Sequence, residues 1–250
     1  MDTEPDTGPH SAPHAETDSA PHAGPHSAPH SEPNSELETL LRSLRVWDTE
    51  LPAFDPEATP EAPLPLFTQW FAAAVAAGQS EPHTPSLATT DAEGHADIRT
   101  VMLHGADARS LHFASHAGSA KGRQLAARPF AALGFYWPVQ GRQIRLRGTV
   151  RTAPAEVAHT DLHARSTGAL AAALTGRQSE PLATYEELAR ASEAAWERAQ
   201  REPDARVPSW TVYELEPDEV EFFQGDARRR HVRLKYTRHE GGWAKELLWP

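Results

Sequence analysis

Lys121 is the residue of this chain best placed to meet an anion. It stands in "HAGSAKGRQLAARP", residues 116–129, where small residues give way to a short helical run closed by Pro129. A helix that starts near Ser119 presents unpaired backbone N–H groups and the positive end of its dipole, and the Ser119 hydroxyl can cap it. A lysine in that first turn opposes the dipole and costs helix stability. A phosphate seated on the helix start would offset that cost. A solvated lysine on an ordinary surface helix is the competing account.

Two other places have the right residue types. Arg99 lies between Ile98 and Val101 in "DIRTVML", where a guanidinium on an apolar strand either finds a partner or faces outward. Gln143, in "GRQIRL", either reads a polar ring edge or lies on a solvated face. Near the end, "DARRRHVRLKYTR" (226–238) sets Arg228, Arg229, Arg230, His231, Arg233, Lys235 and Arg238 against Asp226 alone. On a strand, Arg229, His231 and Arg233 share one face. That face suits an anionic substrate or cofactor, or else it is a charged edge that discourages aggregation. The sequence has no Walker loop, no HExxH and no GxSxG.

The elements that must position these residues follow from periodicity. "SELETLLRSLRVW" (35–47) predicts an amphipathic helix, and "LPAFDPEATPEAPLP" a Pro-rich connector. "LFTQWFAAAVAAG" (66–78) predicts a helix with Leu66, Phe67, Trp70, Phe71 and Val75 inward, stopped by Gly78. Strand, turn and strand are expected around Asp91 to Gly94, then a strand over 110–115 and the helix 119–127. Strands follow at 130–137 and 142–153; in the second, Ile144, Leu146 and Val150 alternate with Arg145, Arg147 and Arg151. Helices are expected over 154–175, broken near Gly168, and over 184–201. Four strands end the chain: "SWTVYELEP", "EVEFFQG", "HVRLKYTR" and "WAKELLW". Short antiparallel strands with local connections favour a mainly β fold, a small barrel with a helical insertion.

Composition narrows the class. Of 250 residues none is cysteine, which excludes disulfides and thiol chemistry and is compatible with a cytoplasmic setting. No apolar run is long enough to span a membrane, and the start lacks the features of a secretory signal. Residues 1–62 hold 13 acids against 2 bases, whereas 63–250 balance 22 against 22, so the net charge of -11 belongs to the leader. General nucleic-acid binding is not implied. Residues 1–34 repeat "SAPH" and contain no Val, Ile, Leu, Phe, Trp or Tyr, so they are expected to be a disordered leader. Its five histidines lack the fixed geometry that a metal site needs. Three segments result: 1–34, then 35–62 with a helix and linker, then the domain 63–250.

Together, "RTVML" (99–103), "GSAKGRQLAARP" (118–129), "FYW" with "RQIRLRG" (135–148), "RQSE" (177–180) and "VEFFQGDARRRHVRLKY" resemble the pyridoxamine 5′-phosphate oxidase family. The resemblance implies an antiparallel FMN-binding split β-barrel, a homodimer with FMN at the subunit interface. It implies flavin contacts from Arg99, Thr100, Val101, Met102, Leu103 and His104, from Ala114, Ser115, Ala120 and Lys121, and from Gln143, Gln178, Ser179, Phe223 and Arg233. Lys121 and Arg99 would hold the phosphate and Gln143 would face the ring system. Arg229 and His231 match the family's Arg-x-His grip on substrate and are the candidate catalytic residues. His104, Asp161, Arg165, Ala169 and Arg230 complete the expected substrate set.

The departures from the family pattern bear on the substrate. Where the vitamin B6 enzymes carry lysine, tyrosine and serine against substrate, this chain has His104, Asp161 and Ala169; Ala120 replaces an arginine and Phe223 a tryptophan. "HAGSAKGR" and "RQSE" resemble the branch that oxidises phenazine precursors in secondary metabolism. The expected activity is hydride transfer from a reduced aromatic heterocycle to flavin, with dioxygen as final acceptor and hydrogen peroxide as product. The rivals are a pyridoxine/pyridoxamine 5′-phosphate oxidase, a non-catalytic flavin-binding protein, and a barrel that has lost its flavin.

Overall fold

The computed structural model describes residues 35–47 and 50–250, so the expected leader 1–34 lies outside the described residues. The chain divides into two compact units, Met1–Arg45 and Val46–Pro250. In the first, α1 (Ser35–Ser43) carries the expected leucines, and Leu40, Leu41 and Leu44 are exposed. The Pro-rich stretch packs within the second unit. Phe54 lies 4.9 Å edge-on to Trp70, and the Tyr236 hydroxyl donates to Pro60 O at 2.9 Å.

The second unit opens on α2 (Pro63–Ala76). The strands β1 (Ser86–Thr90), β2 (Ala96–Thr100), β3 (Leu103–Ala106) and β4 (Leu111–His116) follow, then α3 (Ala120–Ala127). After β5 (Phe130–Trp137) and β6 (Arg142–Thr152) come three helices, α4 (Ala155–His163), α5 (Thr167–Thr175) and α6 (Tyr185–Arg201). The chain ends in β7 (Trp210–Gln224), β8 (Val232–His239) and β9 (Gly242–Leu248). All strand pairs are antiparallel, in the order β2-β1-β5-β6-β7-β4-β3, with β8 on β7 and β9 on β8. No described helix is long and apolar enough to cross a membrane.

Period-2 alternation builds the core. Leu87, Leu133, Leu146, Val220 and Tyr236 are successive cross-strand partners, and each is 0% exposed. On the opposite face the matching row reads Ser86, Gly134, Arg145, Glu221 and Lys235. There Arg147 pairs with Glu219 at 2.6 Å, and Arg145 pairs with Glu221. Helix α2 closes the inner face with Leu66, Phe67, Trp70 and Ala74. Ala74 takes the inward place expected of Val75, which is exposed, because the packed stripe is narrower than the run of apolar residues. Arg142 is buried under this helix over the Trp70 ring at 4.1 Å, and burial lowers its pKa to about 10.

Three expectations change. The two strands expected on either side of Pro217 are one strand, β7. The register against β6 shifts between Arg147 and Gly148, so the residue without an N–H sits at a bulge and the ladder continues past it. "DIRTVML" is two strands, since β2 ends at Thr100 and β3 begins at Leu103. The break between α4 and α5 falls at 164–166, where Ser166 caps α5, rather than at Gly168.

The bulge needs a residue without a side chain. A Cβ on Gly148 would lie 2.1 Å from Glu216 O and 2.7 Å from Pro217 Cα, both backbone atoms. Gly148→Ala is expected to lower the unfolding free energy by about 1–3 kcal/mol, read as a shifted urea midpoint. Gly118→Ala, whose added Cβ meets nothing within 4 Å, is expected to change stability by less than about 0.5 kcal/mol.

Candidate functional site

Strand β4 delivers Ser115 and His116 to its end, and the chain turns into α3 within three residues. The Ser119 hydroxyl accepts from Gly122 N at 3.2 Å and donates to His116 O at 2.7 Å, so the expected cap forms. Only glycine fits at 122: a Cβ there would stand 2.2 Å from Ala117 O. This tight turn buries Lys121, whose Nζ donates to Ser115 Oγ at 2.9 Å. Among the described residues no carboxylate pairs with that ammonium, and burial together with the Arg99 guanidinium holds its pKa below the usual lysine value. A lysine offers three donors, so the site is short of an anion, and a phosphate fits it.

Arg99 faces the core side, cross-strand from Leu87, and its charge is met. Its guanidinium donates to Thr89 Oγ1 and to Asp97 Oδ2, each at 2.5 Å, and to Gln124 Oε1 at 2.9 Å. Ser115 Oγ donates to Gln178 Oε1 at 3.0 Å, which ties the loop after α5 to the lysine. Ser179 beside it takes a left-handed conformation, φ 71. Ala120 opens α3. Between β2 and β3, Val101 N and Leu103 N bond Pro85 O and His83 O, while Thr100 and Met102 are exposed.

A cavity of about 540 Å³ adjoins this group. Ala114, Ser115, Gln178, Ala169 and Trp210 line it, so expected cofactor and substrate residues share one wall. Behind Trp210 stand Asp161 and Arg165 on one side of the helical insertion. Arg165 reaches both Asp161 oxygens, at 2.6 and 2.8 Å, and donates to His104 Nε2 at 2.6 Å. The Trp210 indole N–H donates to Asp161 Oδ2 at 3.1 Å. Burial, and then Arg165, lower the His104 pKa, which favours the neutral imidazole that accepts this bond.

The remaining expected residues lie on a different surface. Gln143, Phe223 and Arg233 form one cross-strand row over β6, β7 and β8 on the outer face, around a shallow pocket with Arg145, Glu221 and Pro250. It shares no lining residue with the cavity beside Lys121. Arg233 is engaged there by Glu221 at 2.7 Å and by Trp249 O at 2.9 Å. His231 joins this group, 5.1 Å from the Phe223 ring and 5.2 Å from Trp47.

The expectation that Arg229, His231 and Arg233 share a strand face fails, because β8 begins only at Val232. The Asp226 carboxylate accepts from Arg228 N at 2.7 Å and Arg230 N at 3.3 Å, and Asp226 N donates to His231 Nδ1 at 3.1 Å. These bonds curl 226–231 into a turn with Arg229 at φ 64. Sequence reasoning missed Asp97, Gln124, His116, Trp47 and Trp210. In the sequence Trp210 is only a residue of the expected strand "SWTVYELEP".

Comparison with known proteins identifies the family. Residues 71–224 match the family model "Pyridoxamine 5′-phosphate oxidase". Residues 210–250 match "Pyridoxine 5′-phosphate oxidase C-terminal dimerisation region". The pyridoxine/pyridoxamine 5′-phosphate oxidase of Azotobacter vinelandii is 38% identical over 193 residues, 76% of this chain and 90% of that one. The enzyme of the same name from Hyphomonas neptunium is 40% identical over 194 residues, 75% of this chain and 87% of that one. Among solved structures, PhzG from Burkholderia lata, in complex with tetrahydrophenazine-1-carboxylic acid, superposes with a TM-score of 0.75 at 29% identity, covering 81% of this chain and 98% of that one. A pyridoxamine 5′-phosphate oxidase-related, FMN binding protein from Nostoc punctiforme shares the fold, with a TM-score of 0.61 at 21% identity, over 74% of this chain and 97% of that one. The split barrel, the uncompensated lysine and both family matches lead to one conclusion: this chain belongs to the pyridoxamine 5′-phosphate oxidase family and is an FMN-dependent oxidoreductase with its likeness to the PhzG branch.

Proposed function

We propose that this protein oxidises a reduced aromatic heterocycle of the phenazine type, at sites completed by both chains of a homodimer. The observation that carries the substrate reading is the state of Arg165. Of the cations in the expected substrate set, Arg165 is held by the Asp161 carboxylate at 2.6 Å, and beside it neither His104 nor Ala169 replaces the missing donors. A doubly charged phosphate ester then finds little to bind. A flat, weakly charged ring finds a cavity with alanines, leucines and Trp210 in its walls, where the lining arginine, Arg177, is already paired with Glu180 and Glu187. The PhzG structure, a complex with tetrahydrophenazine-1-carboxylic acid, supports the same class.

FMN, when bound, supplies the redox chemistry, accepting a hydride from substrate and passing the electrons to dioxygen. Lys121 would hold its phosphate, with Arg99 beside it once it turns from Asp97, and Ser115 and Gln178 would line the way out of that turn. Gln143, Phe223 and Arg233 of the partner subunit would face its ring system. Both sets stand on one chain but on separate surfaces, which is the arrangement an intersubunit site requires. His231 and Arg229 would orient the substrate from the second set.

The substrate reading is tested by anaerobic reduction of the FMN-loaded protein. Tetrahydrophenazine-1-carboxylic acid is expected to bleach the flavin band roughly a hundredfold faster than pyridoxine 5′-phosphate at equal concentration, since two charge-assisted contacts are missing. The curated relatives favour the opposite preference; faster bleaching by pyridoxine 5′-phosphate would establish it, and bleaching by neither would leave a flavin-binding protein.

Lys121 gives a second test. Its folded pKa is depressed, so between that value and the ordinary one the unfolded chain binds more protons than the folded apoprotein. Apoprotein stability therefore rises with pH through this alkaline window, and the penalty is present in full below it. Lys121→Met is expected to flatten the rise and raise the urea midpoint of apoprotein at neutral pH. The same change should weaken FMN binding about 10- to 100-fold, as loss of a charge-assisted hydrogen bond does.

The shared site gives a third. Lys121→Met and Arg233→Met each disable one set, so each variant alone is expected to turn over poorly. Co-expressed, they should regain about a quarter of wild-type sites, because half the dimers are mixed and each holds one intact site.

A further inference from the structure

Trp210 is assigned no role by the family resemblance, yet it stands where the two parts of the first set meet. It opens β7 as the ladder partner of His116, and its ring meets the His116 imidazole edge-on at 5.7 Å. Its indole N–H donates to Asp161 Oδ2 at 3.1 Å, and the Arg165 guanidinium lies 5.2 Å from its ring centre. Its remaining face lines the cavity that also touches Ser115 and Gln178. Asp161 therefore has two directional partners outside its own helix, Arg165 in the break just after α4 and Trp210 across on the sheet.

This double hold matters because Asp161 and Arg165 are both largely sheltered, with side chains 20% and 15% exposed. An aspartate held by arginine alone could swing out with it toward a competing anion. Anchored from the sheet behind Trp210, the carboxylate stays on the guanidinium and cancels its charge, so a dianion in the cavity gains no attraction from Arg165. A ring bearing no charge, or a single carboxylate, loses far less by that cancellation.

We propose that Trp210 is a positioning residue that fixes Asp161 on Arg165, and that this clamp sets the selectivity of the substrate site for neutral or singly charged rings over doubly charged phosphate esters. The proposal rests on the substrate set lying at this cavity, as argued under the proposed function. It differs from that reading in assigning selectivity to one carboxylate and its indole anchor.

The experiment measures binding, not turnover. FMN-loaded wild type, Asp161→Asn and Trp210→Phe are titrated with pyridoxal 5′-phosphate and with phenazine-1-carboxylate, following perturbation of the flavin spectrum. The quantity read is the ratio of the two dissociation constants, which a merely structural role would not move. Asp161→Asn is expected to shift the ratio at least about tenfold toward the phosphate ester. Trp210→Phe, which keeps a ring but loses the N–H, is expected to shift it about threefold in the same direction. Adding Arg165→Met to Asp161→Asn should cancel the gain. A ratio unchanged in Asp161→Asn or in Trp210→Phe, in whichever of them takes up FMN, overturns the proposal. Loss of FMN from both variants also overturns it, since the cluster would then serve the cofactor. Failure of wild type to be reduced by any heterocycle bears on the proposed function alone and leaves these ratios readable.

Discussion

A buried ammonium without a carboxylate is the constraint around which one end of this molecule is arranged. Taking a charge out of water is costly unless it is paired, and proteins rarely leave a lysine in that state. Here the Ser119 cap and the glycine at 122 make a turn too tight for the side chain to swing away, and Ser115 supplies a single oxygen. Arg99 nearby is treated differently. Asp97 meets its charge, so the unmatched positive charge is the lysine's own. The small residues and cations of 116–129 are thus parts of one device, a rigid loop that holds a cation ready for an anion the chain does not contain.

Strand β7 determines where that device can find its other half. It is 15 residues long, and β6 lies along nearly all of it. Its other edge is divided: residues 211–215 and their neighbour Trp210 pair with β4, and 219–224 pair with β8. The division falls at the Pro217 bulge, because a residue lacking an N–H cannot continue the ladder and the extra residue turns the strand. One half of β7 therefore belongs to the wall with Ser115 and Lys121. The other half presents Phe223 beside Gln143 and Arg233. A barrel split in this way separates the two sets within one chain, and the C-terminal dimerisation region covers this same strand and the hairpin that follows it.

What the sequence made legible was local. Alternation along "RQIRLRGTV" gave β6 and its faces correctly, and the hydroxyl at 119 marked the start of α3, because neighbouring residues settle both. The errors arose where distant groups decide. Pro217 was read as a strand end, since nothing nearby in sequence shows that Gly148 lies opposite and leaves room for a bulge. Arg229 was placed on a strand face, although one carboxylate, Asp226, gathers the backbone of 228–230 into a turn. Arg165 belongs to the substrate set that the resemblance implies, yet Asp161 holds it. The i,i+4 spacing of Asp161 is visible in the sequence, but only the fold shows that the end of α4 brings the pair to His104 and Trp210.

The treatment of cations across the chain argues for where a doubly charged group can go. The arginines of the outer sheet face are matched by glutamates one strand away, Arg147 by Glu219 and Arg145 by Glu221. Arg142 has only amide partners, Gln224 and Gln140, but it is sealed beneath Trp70 and no ligand can reach it. Arg165 is held by Asp161, and Arg233 by Glu221. Lys121 differs from all of these, being buried at the mouth of a turn with one hydroxyl for company. A dianion gains most where positive charge is unmatched and water is already excluded. That reasoning supports the proposed assignment, in which the phosphate of the cofactor's tail would sit at Lys121 and the residues around Arg165 would select a substrate by shape and by the charge it lacks.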